Sequence, residues 1–267
     1  AGGALNVVLK AITNPGEEVI AISPYFVEYG FYVENHGGVL KVAQSTPDFM
    51  PSIKNIRAAI TPRTNAIIIN SPNNPTGRVY PEQVFIDLAK LLQERPDIMV
   101  ISDEPYRKLV YDDMPVTSVL KHIPNAVVVT SASKELSLAG ERIGYIAAGT
   151  GVPDKEGFIN ALVLATRILG FVNAPAIMQK VYAECLEESV DVSLYRRRRD
   201  IFMKNLDDAG LTYVPTEGAF YLFFNMSDLG VPSSKFVADF FQKEKVRSAP
   251  GTQYGPTGEG HVRFALV

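Results

Sequence analysis

The stretch that decides the fold is Thr130–Tyr145, TSASKELSLAGERIGY. A short apolar run, Ala126–Thr130 (AVVVT), leads into it and reads as a buried strand. Ser131 and Ser133 follow, then Lys134, which has no acidic partner at helical spacing ahead of it. The loop that carries this lysine ends at Gly140, and Arg142 and Gly144 lead into a second apolar run, Tyr145–Ala148. A lone lysine in a loop is ordinarily a solvated charge. Here hydroxyls, a lysine, an arginine and glycines are concentrated between two buried strands, an arrangement that holds an anion with an amine beside it. One chemistry needs this set: a lysine Schiff base to a phosphorylated aldehyde cofactor.

Upstream, strands and helices alternate. Leu5–Ile12 is amphipathic and stops at Asn14–Pro15–Gly16; the small residues before it, Ala1–Ala4, leave backbone N–H groups free to meet an anion. Glu18–Ile22 reads as a strand, followed by Ser23–Pro24–Tyr25–Phe26 and a helical stretch to His36. After Gly37–Gly38 come the apolar run Val39–Ala43, a short helix Ser52–Ile60 and the β-branched strand Asn65–Asn70. A dense turn cluster, Ser71–Gly77 (SPNNPTG), precedes a helix over Pro81–Glu94 with proline at its start. Ile98–Ser102 is again a buried strand, running into Asp103–Glu104–Pro105–Tyr106. Near-continuous apolar strands alternating with helices predict an α/β fold: a mostly parallel sheet with helices on both faces. Ligands bind such sheets at the carboxyl ends of the strands, where Phe26, Asn74, Asp103, Tyr106 and Ser131–Lys134 all fall.

Beyond Gly149–Gly151 long helices take over: Lys155–Arg167, Ala174–Leu186 and Ser189–Ala209. The four arginines Arg196–Arg199 lie inside the last, with Glu187, Glu188 and Asp191 just before it, and read as a solvated or salt-bridged helix face rather than a nucleic-acid site. The order then becomes strand Glu217–Asn225, helix Ser233–Lys243, strand Val246–Ala249 and strand His261–Leu266, a partial small α+β domain. The expected division is 1–188 for the large domain, incomplete at its N-terminus, and 189–267 for the linking helix and small domain. With no leader before its first element, the chain is expected to be a fragment that begins inside an element.

Composition narrows the partners. Hydrophobic residues make up 46% and charged residues 21%, with a formal net charge of -3, so neither nucleic acid nor an anionic membrane is expected. The single cysteine, Cys185, sits in a helical setting where a buried apolar role is expected, and it can form no internal disulfide. With three histidines and one cysteine no metal-ligand spacing can be assembled, and no metal is expected. No apolar run spans a bilayer and no signal peptide opens the chain, which makes a cytoplasmic location the default expectation.

Taken together the clusters resemble the fold-type I pyridoxal-phosphate enzymes, specifically the class I/II aminotransferases related to aspartate aminotransferase. The resemblance rests on Ser131-x-Ser133-Lys134, Gly140-x-Arg142-x-Gly144, Asn74–Gly77 (NPTG), Asp103-x-x-Tyr106 and the late Arg263 in HVRFAL, and it runs over nearly the whole chain. It implies pyridoxal 5'-phosphate as cofactor and a transferase that moves an amino group from an α-amino acid to a 2-oxo acid. Lys134 would form the Schiff base, Asp103 would pair with the pyridine nitrogen, and Tyr106 and Asn74 would meet the phenolic oxygen. Phe26 would stack on the ring, and Ser131, Ser133 and Arg142, with the backbone N–H groups of Ala1 and Gly2, would hold the phosphate. Arg263 would clamp the substrate α-carboxylate, with Asn74 beside it. Simple turn chemistry would equally place Asn74, core packing would place Phe26, and a surface role would suit Arg263. Tyr221 faces the substrate region or the core.

The resemblance further implies a homodimer in the full-length protein, cis bonds at Ser23–Pro24 and Asn74–Pro75, and an impaired activity for the fragment alone. Two alternatives share these residues: a C–S lyase or other eliminating enzyme of the same fold, and the aminotransferase-like sensor domain of a transcription regulator. The specific amino acid is beyond the sequence.

Overall fold

A computed structural model describes all residues, Ala1–Val267. In chain order the elements are α1 (Gly2–Ile12), β1 (Glu18–Ser23), α2 (Glu28–Asn35), β2 (Val39–Gln44), α3 (Ile53–Ala59), β3 (Thr64–Asn70), α4 (Glu82–Leu92), β4 (Met99–Asp103), β5 (Ala126–Ser131), α5 (Ala132–Glu135), β6 (Gly144–Ala148), α6 (Lys155–Ile168), α7 (Ala176–Glu184), α8 (Val192–Asp208), β7 (Tyr221–Asn225), α9 (Ser233–Glu244), β8 (Ala249–Pro250) and β9 (His261–Ala265). Short 3₁₀ turns join several of them.

Strands β1, β3, β4 and β5 are buried on both faces, which is why their central residues are continuously apolar instead of alternating. Successive side chains go to opposite sides of the sheet. Val19, Ala21, Ile68, Ile101, Val127 and Val129 pack under α1, α2 and α6, while Ile20, Ile22, Ile67, Ile69, Val100 and Val128 pack under α3 and α4. The six-stranded sheet has the order β2-β1-β3-β4-β5-β6. All pairings are parallel except β5–β6, which is antiparallel.

That order places a site. The chain leaves β1 toward β2 on one side and returns to β3 on the other, so the sheet reverses direction between β1 and β3. A crevice opens where crossovers diverge, at the carboxyl ends of the strands. Ser23, Asn70, Asp103 and Ser131 are the last residues of β1, β3, β4 and β5. The antiparallel β6 starts at the same edge, with Gly144 opposite Ser131. A Cβ on Gly144 would lie 2.3 Å from the Thr130 carbonyl oxygen, so the close pairing of β5 and β6 demands glycine there.

The second sheet, β7-β9-β8, is antiparallel and is covered by α8 and α9 through Leu206, Leu222, Phe224, Val262, Phe264, Phe236 and Phe240. It is tied to the larger sheet by backbone bonds from Ala219 N to Leu109 O (2.7 Å) and from Gly218 N to Gly77 O (2.8 Å). Gly77 closes the SPNNPTG turn at φ +70°, where a Cβ would lie 2.5 Å from the Thr216 methyl. The final residue of that motif is therefore what lets the turn dock on the small sheet.

Several expectations are corrected. Lys134 lies in the one-turn helix α5, not in a loop, and the segment before Arg142 is a 3₁₀ turn. The strand expected over Glu217–Asn225 starts only at Tyr221, because Ala219 takes a left-handed φ of 58° that no strand accommodates. The strand expected at Val246–Ala249 is only Ala249–Pro250. Cys185 caps the C-terminus of α7 and is half-buried instead of lying in the core. Of the four consecutive arginines, Arg199 is buried, pairing with Asp112 and Asp200 and lying 4.6 Å from the Tyr111 ring centroid. The peptide bonds preceding Pro24 and Pro75 are both cis, as is that preceding Pro72.

Candidate active site

At the carboxyl edge of β3, β4 and β5 lies a cavity of about 230 Å³. Its lining includes ten of the residues singled out from the sequence: Ala1, Gly2, Phe26, Asn74, Asp103, Tyr106, Ser131, Ser133, Lys134 and Arg142. Arg263 stands outside that lining, one hydrogen bond away: its Nη1 donates to Asn74 Oδ1 at 2.8 Å.

Asp103 ends β4 on the cavity floor and is 4% exposed. Its Oδ2 accepts a hydrogen bond from the Tyr29 hydroxyl at 2.6 Å, whereas Oδ1 is buried without a partner. Burial raises its pKa to about 6, partly offset by the Tyr29 bond. A buried carboxylate with one open oxygen is stable only if a cation or donor meets it. Asp103 is a half-filled site.

Lys134 projects from α5 with its Nζ 5.4 Å from the Phe220 ring centroid. Its pKa is lowered, first by burial and then by the positive charges of Arg263 and Arg142. A neutral amine at working pH is the form that attacks an aldehyde. Ser131 occupies the N-cap of α5 yet makes no side-chain capping bond, which leaves its hydroxyl for another partner. Arg142, left-handed at φ 52°, turns toward the same wall, its Nη1 on the Ala139 carbonyl at 2.7 Å. Helix α1 points its N-terminus into the cavity with neither a side-chain cap nor an acidic residue in its first turn. Free N–H groups, hydroxyls and a guanidinium on one wall make an anion cradle.

On the opposite side the Tyr106 hydroxyl lies 3.0 Å from that of Tyr221, and burial holds the Tyr106 pKa well above the ordinary phenol value. Phe26 packs edge-on against Tyr29, with centroids 5.6 Å apart. The Arg263 guanidinium lies between the rings of Tyr221 and Tyr254, at 4.3 and 5.1 Å from their centroids, and its buried Nε has no partner. An arginine stacked in this way presents an open edge of parallel donors, the geometry that matches a carboxylate.

Sequence reading missed two residues, Tyr29 and Asn70, and left Tyr221 undecided. Tyr29, on the buried face of α2, carries no signal beyond apolar periodicity, yet it holds Asp103. Tyr221 was left between core and substrate; its hydroxyl reaches Tyr106. Asn70 receives the Asn74 N–H on its Oδ1 at 2.7 Å and donates to the Asp103 carbonyl at 2.7 Å, bracing both. A polar amide closing a fully apolar strand was the available clue to it.

A lysine of lowered pKa, an open buried carboxylate and an anion cradle around one cavity of a 2-1-3-4-5-6 sheet are the features expected of a pyridoxal-phosphate enzyme of the fold-type I class. Comparison with known proteins makes the assignment narrower. The family model for aminotransferase class I and II matches residues 1–266. The structure of an amino transferase from Eubacterium rectale superposes with a TM-score of 0.93 at 34% identity, over 99% of this chain and 67% of that one. An aspartate/prephenate aminotransferase of Thermus thermophilus is 34% identical over 99% of this chain and 68% of its own. An aromatic-amino-acid aminotransferase of Thermococcus litoralis is 32% identical over 97% and 68%. The chain belongs to the class I and II aminotransferase family, and it is a pyridoxal-phosphate-dependent aminotransferase. No helix is long and apolar enough to cross a membrane.

Proposed function

We propose that Lys134, Asp103 and Tyr106 carry the amino transfer, with Phe26, Asn74, Ser131, Ser133, Arg142 and the N–H groups of Ala1 and Gly2 holding the cofactor and Arg263 the substrate. The observation that carries this reading is the unpartnered Oδ1 of Asp103, buried in the cavity that Lys134 and Arg142 also line. When bound, pyridoxal phosphate supplies an electron sink for charge released at the amino acid Cα.

Asp103 Oδ1 would meet the ring nitrogen and keep a proton on it, which would also satisfy the carboxylate. Arg142, Ser131, Ser133 and the start of α1 would hold the phosphate, and Phe26 would stack on the ring. Tyr106 and Asn74 meet the phenolic oxygen. Lys134 Nζ would hold the cofactor through its aldehyde carbon, and the same amine, lowered in pKa by burial and by Arg263 and Arg142, would be the base for the substrate's Cα proton. Arg263 receives the α-carboxylate on its open edge, with its other side held by Asn74 Oδ1.

The substrates are α-amino acids and 2-oxo acids, and relatives named for aspartate, prephenate and aromatic amino acids bracket the donors to try first. We read residues 1–188 and 189–267 as two units, which the separate six-stranded and three-stranded sheets support. We also read the working form as a cytoplasmic homodimer. Exposed Val163, Leu164 and Ile168 on α6 and Ile177 on α7 offer apolar surface that a second copy would cover.

The test is the half-reaction. A donor amino acid should convert the bound cofactor to its amine form with release of one 2-oxo acid, and a second 2-oxo acid should restore it. Release of free ammonia in place of that return would make the enzyme an eliminating one.

A further inference from the structure

Tyr221 touches two parts of the site at once. Its hydroxyl is 3.0 Å from that of Tyr106, and its ring lies 4.3 Å from the Arg263 guanidinium. Its backbone is fixed from several sides: Thr216 Oγ1 donates to its carbonyl at 2.9 Å, Leu266 N donates to the neighbouring Phe220 carbonyl at 2.8 Å, and Ala219 N donates to Leu109 O. The side chain is buried, and no hydroxyl partner other than Tyr106 is formed.

Proton counting then sets a direction. Each phenol carries one proton and two lone pairs. Resting on the proposed cofactor site, in which Tyr106 gives its proton to the ring oxygen, the contact between the two hydroxyls leaves Tyr221 as the donor and Tyr106 as the acceptor. We infer that Tyr221 is a positioning residue: it donates to Tyr106, so aiming the Tyr106 proton at the cofactor's phenolic oxygen, and it supports the carboxylate clamp by stacking under Arg263. Two ends of the reaction, the ring oxygen and the substrate carboxylate, are thereby held by one side chain on β7.

A phenol that accepts a hydrogen bond becomes a better donor through the other direction, by roughly 10–30% per bond. Stabilising the ring oxygen's negative charge favours the deprotonated lysine–cofactor linkage, so Tyr221 lowers the pH at which that linkage titrates. The charged and titratable groups facing this region are Asp103, Arg263 and Tyr221 around Tyr106, and Arg263 and Arg142 around Lys134.

The experiment titrates the absorbance of the pyridoxal-phosphate-loaded protein and of its variants, which involves no turnover, and then compares the KM for the amino acid in the Tyr221 variants. Tyr221→Phe keeps the ring and removes only the hydroxyl; it should raise the midpoint by about half a pH unit. Tyr106→Phe should raise it by more, about one to two units, and Tyr221→Phe added to Tyr106→Phe should change nothing further. Tyr221→Leu should match the midpoint of Tyr221→Phe but raise the KM for the amino acid about tenfold above it, through the loss of stacking under Arg263. A lowered midpoint in Tyr221→Phe would show that Tyr106 donates to Tyr221, and a shift that persists without the Tyr106 hydroxyl would show no relay; each overturns the inference. Equal KM in the Phe and Leu variants overturns the role at the clamp. If Tyr106→Phe itself leaves the midpoint in place, the assignment of the ring oxygen fails and takes the relay with it. That result differs from failure of the relay alone, in which Tyr106→Phe moves the midpoint and Tyr221→Phe does not.

Discussion

Replacing Asp103 by asparagine should stabilise the cofactor-free protein at neutral pH while destroying its cofactor site. Burial raises the Asp103 pKa from 3.8 to about 6. Because the folded state binds this proton more tightly than the unfolded chain, stability from this group is greatest below about pH 4, is lost as pH rises to about 6 and stays constant above that. A shift of about two units corresponds to about 3 kcal/mol of strain in the ionised apo form. Asparagine keeps an acceptor for the Tyr29 hydroxyl but brings an amide donor group without a partner, which costs about 1–2 kcal/mol. The net expectation is an apo Asp103→Asn protein about 1–2 kcal/mol more stable than the parent at pH 8, by urea unfolding. The advantage should vanish or reverse at pH 4.5, where the parent carboxyl is already neutral. A variant less stable at pH 8, or a difference independent of pH, would refute the picture of a carboxylate awaiting its cation.

Two further substitutions separate the parts of the site, and a third probes the fold away from it. Arg142→Ala should raise the Kd for pyridoxal phosphate at least about tenfold while leaving phosphate-free pyridoxal nearly unaffected, as equilibrium absorbance would show. Arg263→Lys replaces a stacked, two-pronged donor by a point charge and should raise the KM for amino acid donors by about 10- to 100-fold. Arg199→Met, far from the cavity, removes pairs to Asp112 and Asp200 at 2.7 Å and the contact with the Tyr111 ring, so urea unfolding should show a loss of about 1–3 kcal/mol with cofactor affinity unchanged.

The parallel sheet was legible because β3, β4 and β5 are buried on both faces through their centres and therefore carry continuous apolar runs there. Their polar ends stood out for the same reason, which is how Asp103 and Ser131 came to notice. The small sheet was less legible. Residues Gly218–Phe220 are as apolar as a strand, yet they form the turn that packs Phe220 and Tyr221 against Tyr106. Lys134 read as a loop residue because one helical turn is too short to display a period. Tyr29 and Tyr221 reach the site across 74 and 115 residues of chain, to Asp103 and to Tyr106. No local pattern encodes contacts at such separations; only the folded sheet brings them together.

The central claim is that the amine of Lys134 is the one that holds the cofactor. Borohydride reduction of the pyridoxal-phosphate-loaded protein, followed by proteolysis and mass mapping, reads this directly. The label should sit on the peptide containing Ser131–Glu135, at Lys134, and Lys134→Ala should neither take up the label nor show the cofactor's absorbance. A label on any other lysine, or undiminished labelling of Lys134→Ala, would contradict the account.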